Sequence, residues 1–80
     1  MKHIGEVFSY YSNIGVAAIK LSSDLKIGDV IKIEGHTTNF EQELTSMQVE
    51  HKNVEHAKKG DTVGIKVNEL VRKHDKVFKL

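Results

Sequence analysis

Apolar residues in this chain recur at every second position, in runs too short and too strictly alternating for helices. Val30-Ile31-Lys32-Ile33-Glu34 and Val63-Gly64-Ile65-Lys66-Val67 both show it. A period of two gathers those side chains on one face of a strand and leaves the other face polar. Clusters of Gly, Asn, Asp and Ser stand between the runs, and no window holds a sustained helical period with a cap and a glycine stop. The chain is expected to be all-β.

The runs predict six strands. The first spans Ile4 to Tyr11 and is joined through the turn Ser12-Asn13-Ile14-Gly15 to the second, Val16 to Leu21, with Ala17, Ile19 and Leu21 inward. The third is Val30 to Glu34, with Ile31 and Ile33 inward and Lys32 and Glu34 outward. The fourth runs from Phe40 to about Glu50. Its apolar parity changes between Leu44 and Met47, which predicts a bulge near Thr45-Ser46. His51 to Lys59 reads as a connection with room for a helical turn or two, holding Val54 and Ala57. Thr62 to Val67 is the fifth strand, with Val63, Ile65 and Val67 inward. Asn68 to His74 is a connection, and Lys76 to Leu80 the sixth strand, anchored by Val77 with Phe78 or Leu80.

A small motif recurs before three strands: Gly28-Asp29-Val30, Gly60-Asp61-Thr62-Val63 and, more weakly, His74-Asp75-Lys76-Val77. Its physical content is a tight turn at glycine, an aspartate that accepts backbone N–H groups, and immediate entry into a buried strand. With no helix to cover sheet edges, a closed Greek-key β-barrel is the expected architecture. Eighty residues suffice for one domain, residues 1–80, with a small core.

The absence of cysteine excludes disulfides and thiolate metal sites. The opening Met1-Lys2-His3-Ile4-Gly5-Glu6 does not read as a signal peptide, and no apolar run is long enough to span a bilayer. A cytoplasmic location is expected, with no membrane partner. Charge is unevenly placed. Residues 1–50 hold four lysines against seven carboxylates, whereas residues 51–80 hold eight basic against four acidic side chains.

The span Val49 to Val67 carries a resemblance. It holds Val54-Glu55-His56-Ala57-Lys58-Lys59-Gly60-Asp61, then Val63-Gly64-Ile65 and a final Val67. This resembles the second-domain signature of translational GTPases, of the elongation factor Tu type. Ile4-Gly5-Glu6-Val7, Leu25 to Ile33 and Val71 to Phe78 resemble that domain's opening strand, its Leu-x-x-Gly-Asp-x-Ile segment and its closing segment. His74 departs from the pattern, which usually has glycine there, so the final turn is expected to be built differently. The resemblance implies a Greek-key barrel of about six strands that contacts tRNA or ribosomal RNA. Similar barrels occur at the ends of collagenase-like peptidase and RNA-modification proteins. No Gly-x-x-x-x-Gly-Lys-Ser/Thr segment is present, so no nucleotide site or GTPase activity is implied.

No catalytic or metal constellation is visible. His51 and His56 are five apart, on neither one helical nor one strand face, and His3, His36 and His74 lie far from them. Glu41 and Glu43 share a strand face, the ordinary arrangement of a solvated edge. The serines have no nucleophile-elbow setting. The expected protein is a binding module and not an enzyme, with no cofactor. Lys52, Lys58, Lys59, Arg72 and Lys73 are its candidate RNA contacts, should their loops emerge at one end of the barrel, with Tyr10 or Tyr11 available to stack a base. The alternative is a protein-docking or structural module that acts with a separate enzyme subunit or as a homo-oligomer.

Overall fold

The computed structural model describes residues 1–80 and contains strands and turns without helices. Ten strands are formed: β1 (Lys2–Tyr11), β2 (Val16–Leu21), β3 (Leu25–Lys26), β4 (Val30–Glu34), β5 (Asn39–Glu43), β6 (Gln48–Val49), β7 (Lys52–Asn53), β8 (His56–Ala57), β9 (Thr62–Lys66) and β10 (Lys76–Lys79). Eight of them make one sheet, in the order β5-β4-β10-β1-β2-β9-β6-β7, and β3 pairs with β8 in a second. Every pairing is antiparallel.

Burial follows the alternation. Ala17, Ile19 and Leu21 of β2, Ile31 and Ile33 of β4, and Val63 and Ile65 of β9 all point inward, where they join Ile4, Val7, Leu44, Met47 and Val77. The core holds 17 buried hydrophobic residues. Sealing one Ile, Leu or Val from water contributes about 1.5–3 kcal/mol, so this cluster is the main source of stability. Val67 and Ala57 are also buried, Val54 packs against the core, Phe78 is half-buried, and Leu80 is exposed.

Three expectations are corrected. The sheet is not closed into a barrel: its ladder ends at β5 on one side and β7 on the other. The predicted fourth strand is two, β5 and β6, because the parity change at Leu44 to Met47 is accommodated by a break instead of a bulge. The connection from His51 to Lys59 forms β7 and β8, not a helical turn. β8 pairs with β3, and beside that pair Ile27 N–H donates to Glu55 O at 2.9 Å.

Where the ladder stops at β5, a side chain takes over. The Gln42 amide donates to Lys66 O at 2.9 Å and accepts from Asn68 N–H at 2.8 Å. These two backbone groups flank Val67, whose own N–H bonds Gly15 O on the opposite side. One primary amide thus supplies the donor and acceptor that a neighbouring strand would have provided.

Candidate functional site

The three Gly-Asp-type turns share one geometry. Asp29, Asp61 and Asp75 each accept the N–H of the residue three before, Lys26, Lys58 and Arg72, on Oδ2 at 3.0, 3.1 and 2.8 Å. Their own N–H groups return to the carbonyls of those same residues at 3.2, 3.0 and 3.1 Å. The residue before each aspartate is left-handed: Gly28 at φ +97°, Gly60 at +95° and His74 at +78°. The expected difference at the last turn is therefore not found. Histidine is held in the conformation that glycine adopts at no steric cost, at an expense of about 1–3 kcal/mol.

That cost falls beside a surface groove. Its volume is about 370 Å³, and His3, Glu6, Phe8, Lys20, Lys73 and His74 contribute polar and aromatic walls over a floor of Gly5, Val7 and Leu21. The turn is anchored to β1 at Val7, which accepts from His74 N–H at 2.9 Å and donates to Asp75 O at 2.8 Å. His74 Nδ1 meets Glu6 Oε2 at 3.2 Å. Lys73 Nζ lies 5.9 Å from the ring centre of Phe8, within cation–π range.

Phe8 owes its position to a bulge. The register of β1 on β2 passes from Val7↔Ile19 to Ser9↔Ala18, so Phe8 has no residue opposite. An extra residue of this kind bends its strand and re-aims side chains. Phe8 is 57% exposed, whereas Phe40 is buried. A second irregularity, between His3 and Gly5 in the pairing with β10, lies at the groove's other end. There a β-carbon on Gly5 would come within 2.8 Å of Lys20 O and 2.9 Å of Ile19 Cγ2, so the close approach of β1 and β2 requires glycine.

The five cations singled out in the sequence occupy three places. Lys52 stands in β7 opposite Val49. Lys58 and Lys59 sit in the turn that Leu21 holds through Gly60 N–H and Asp61 O. Arg72 and Lys73 share the turn before β10 but diverge, Arg72 Nε donating to Thr37 Oγ1 at 3.0 Å and Lys73 covering Phe8. Tyr10 packs against the core and Tyr11 is half-exposed. Sequence reasoning missed Phe8, Glu6 and His74 as a group. The available signal was His74 itself, a histidine where two sister motifs have glycine. No cluster of three His, Asp or Glu side chains is arranged to hold a metal ion.

A second, smaller apolar recess of about 270 Å³ lies between Tyr11, Ile14 and Val16 and the β6–β7 turn. Glu50 and His51 in that turn have φ +53° and +66°. Two consecutive left-handed residues are what a tight two-residue hairpin demands, and Asn-Gly meets that demand with less strain.

Comparison with known proteins identifies the architecture. The C-terminal domain of a Geobacillus thermoleovorans protein described as a U32 peptidase superposes with a TM-score of 0.94 over 99% of this chain and 100% of that one, at 21% identity. A second crystal structure of that domain gives 0.92. This chain has the fold of that C-terminal domain. Its sequence is 53% identical over 78 residues to part of a Methanocaldococcus jannaschii protein named as an uncharacterized protease, and 38% identical over 79 residues to part of a Porphyromonas gingivalis collagenase. Each match takes in 96% of this chain, which spans about a fifth of the length of these curated relatives. No family model matches the chain.

These matches overturn the likeness to translational GTPases and the RNA-binding role drawn from it. The physical reason lies in the turns. Gly28-Asp29 and Gly60-Asp61 suit any turn in which a left-handed residue and an N–H acceptor lead into a buried strand. Val63-Gly64-Ile65 is what such a strand contains. The shared signature encodes backbone geometry, not a partner.

Proposed function

We propose that this chain is a non-catalytic protein-docking module that acts with a peptidase catalytic region, the role expected as the alternative to RNA binding. The observation that carries the proposal is the 53% identity along nearly the whole chain to one fifth of a protein named as a protease, which leaves four fifths of that protein for bond cleavage. The fold agrees with such a role. Aliphatic side chains fill the interior, and the features that cost stability, a bulged Phe8 and a left-handed His74, face outward.

The test uses the Methanocaldococcus relative with and without the region that matches this chain. Removal is expected to raise the KM for a folded or extended protein substrate while cleavage of a short peptide is kept, and the present chain alone is expected to cleave neither. Peptide-bond hydrolysis by this chain, or unchanged handling of protein substrates by the shortened relative, overturns the proposal.

A further inference from the structure

The groove beside the third turn has the chemistry of a specific recognition site. Two lysines, Lys20 and Lys73, and two imidazoles, His3 and His74, surround a single carboxylate, Glu6, which His74 already engages. Phe8 adds an exposed ring to the lining. Two irregularities of β1 and one strained turn residue meet here: the bulge at Phe8, the irregularity at His3 to Gly5, and the left-handed His74. Bulges and strained backbone concentrate where a side chain must be aimed at a ligand.

We infer that this groove binds an extended acidic peptide segment of a protein substrate. Lys73 and Lys20 pair with its carboxylates, and Phe8 receives an apolar side chain between them. Lys73 is already placed over the Phe8 ring, so cation and apolar surface are presented together. Charge complementarity of this kind selects the partner and speeds encounter. Nucleic acid suits the groove less well, because a phosphate backbone is tracked by several cations in a row, whereas this wall offers two lysines and one aromatic ring. The inference rests on the docking-module reading and names the kind of segment docked.

The experiment is an NMR titration of the chain with a capped hexapeptide of alternating glutamate and leucine, its glutamine counterpart and a uridine hexanucleotide. Saturable shifts at Phe8, Lys20, Lys73 and His74 are expected with the glutamate peptide alone. Lys73→Glu should raise Kd at least tenfold and Lys20→Ala severalfold. Glu6→Gln should tighten binding, since it removes the groove's one carboxylate, and Lys59→Ala should leave Kd unchanged. Equal binding of the glutamine peptide, tighter binding of the hexanucleotide, shifts located elsewhere, or an unaltered Kd in Lys73→Glu overturns the assignment. The exposed positions of Lys20 and Lys73 keep the variants foldable. Peptide binding by this chain, with unchanged substrate handling by the shortened relative, sinks the docking reading and leaves the groove assignment standing. The reverse result sinks the groove assignment alone.

Discussion

Gly35 and Asp75 lie so close that a β-carbon on the glycine would be 2.6 Å from Cγ of the aspartate. Asp75 is buried, and it holds the turn before β10 by accepting Arg72 N–H. The β4–β5 hairpin closes at Gly35, whose N–H donates to Thr38 O at 2.7 Å. The glycine is required here for space, since its φ is not left-handed.

Gly35→Ala is therefore expected to destabilise the protein by about 2–3 kcal/mol, from overpacking and from displacement of a buried carboxylate off its donor. Urea denaturation measures it as a lower midpoint at unchanged slope. Gly28→Ala serves as a comparison, because nothing lies within 4 Å of its added carbon and only the left-handed φ resists it. That cost should be smaller, about 1 kcal/mol.

His74→Gly should stabilise the chain by about 1 kcal/mol, because glycine relieves the left-handed strain while the exposed contact with Glu6 contributes little. In a domain of this size that corresponds to a rise in Tm of about 4–8 °C. A fall in Tm would show that the turn before β10 is not strained by its histidine.

Gln42→Ala should cost about 1–2 kcal/mol, the worth of two hydrogen bonds at the open side of the sheet. Hydrogen exchange gives the local readout. The Asn68 amide should lose protection, while that of Val67, bonded to Gly15 O, should change less.

Thr38 carries a buried hydroxyl without a hydrogen-bond partner. Thr38→Val keeps the branched shape and removes the unsatisfied group, so a gain of about 1 kcal/mol is expected in thermal or urea unfolding.

In the β6–β7 turn, replacing Glu50-His51 with Asn-Gly should add about 1 kcal/mol by supplying residues that tolerate two left-handed positions. Circular dichroism melts of the double variant measure this gain directly.

Much of the scaffold is legible residue by residue. Alternation places Ile31, Ile33, Val63 and Ile65 inside, because a period of two admits only one buried face. Asp29, Asp61 and Asp75 accept the N–H bonds expected of them, since an aspartate one residue before a strand can reach back to the turn it closes. β3, β7 and β8 escape notice, being two residues long: β3 and β8 are specified by each other from distant parts of the chain, and β7 pairs with β6 across Glu50-His51, which carry no turn signal. The groove escapes for the same reason: Phe8, Lys20 and Lys73 are ordinary residues until β1, β2 and the turn before β10 bring them together.

By itself the sequence determined that this protein is all-β, which side chains of β2, β4 and β9 are buried and where three tight turns stand, because those properties depend on neighbours a few residues apart. Only the tertiary structure decided that the sheet stays open, that Gln42 spans the gap, and that a bulged phenylalanine and a strained histidine share one groove. These depend on strand register and on contacts between residues far apart in the chain, such as Glu6 and His74 at 68 positions, which no local pattern encodes.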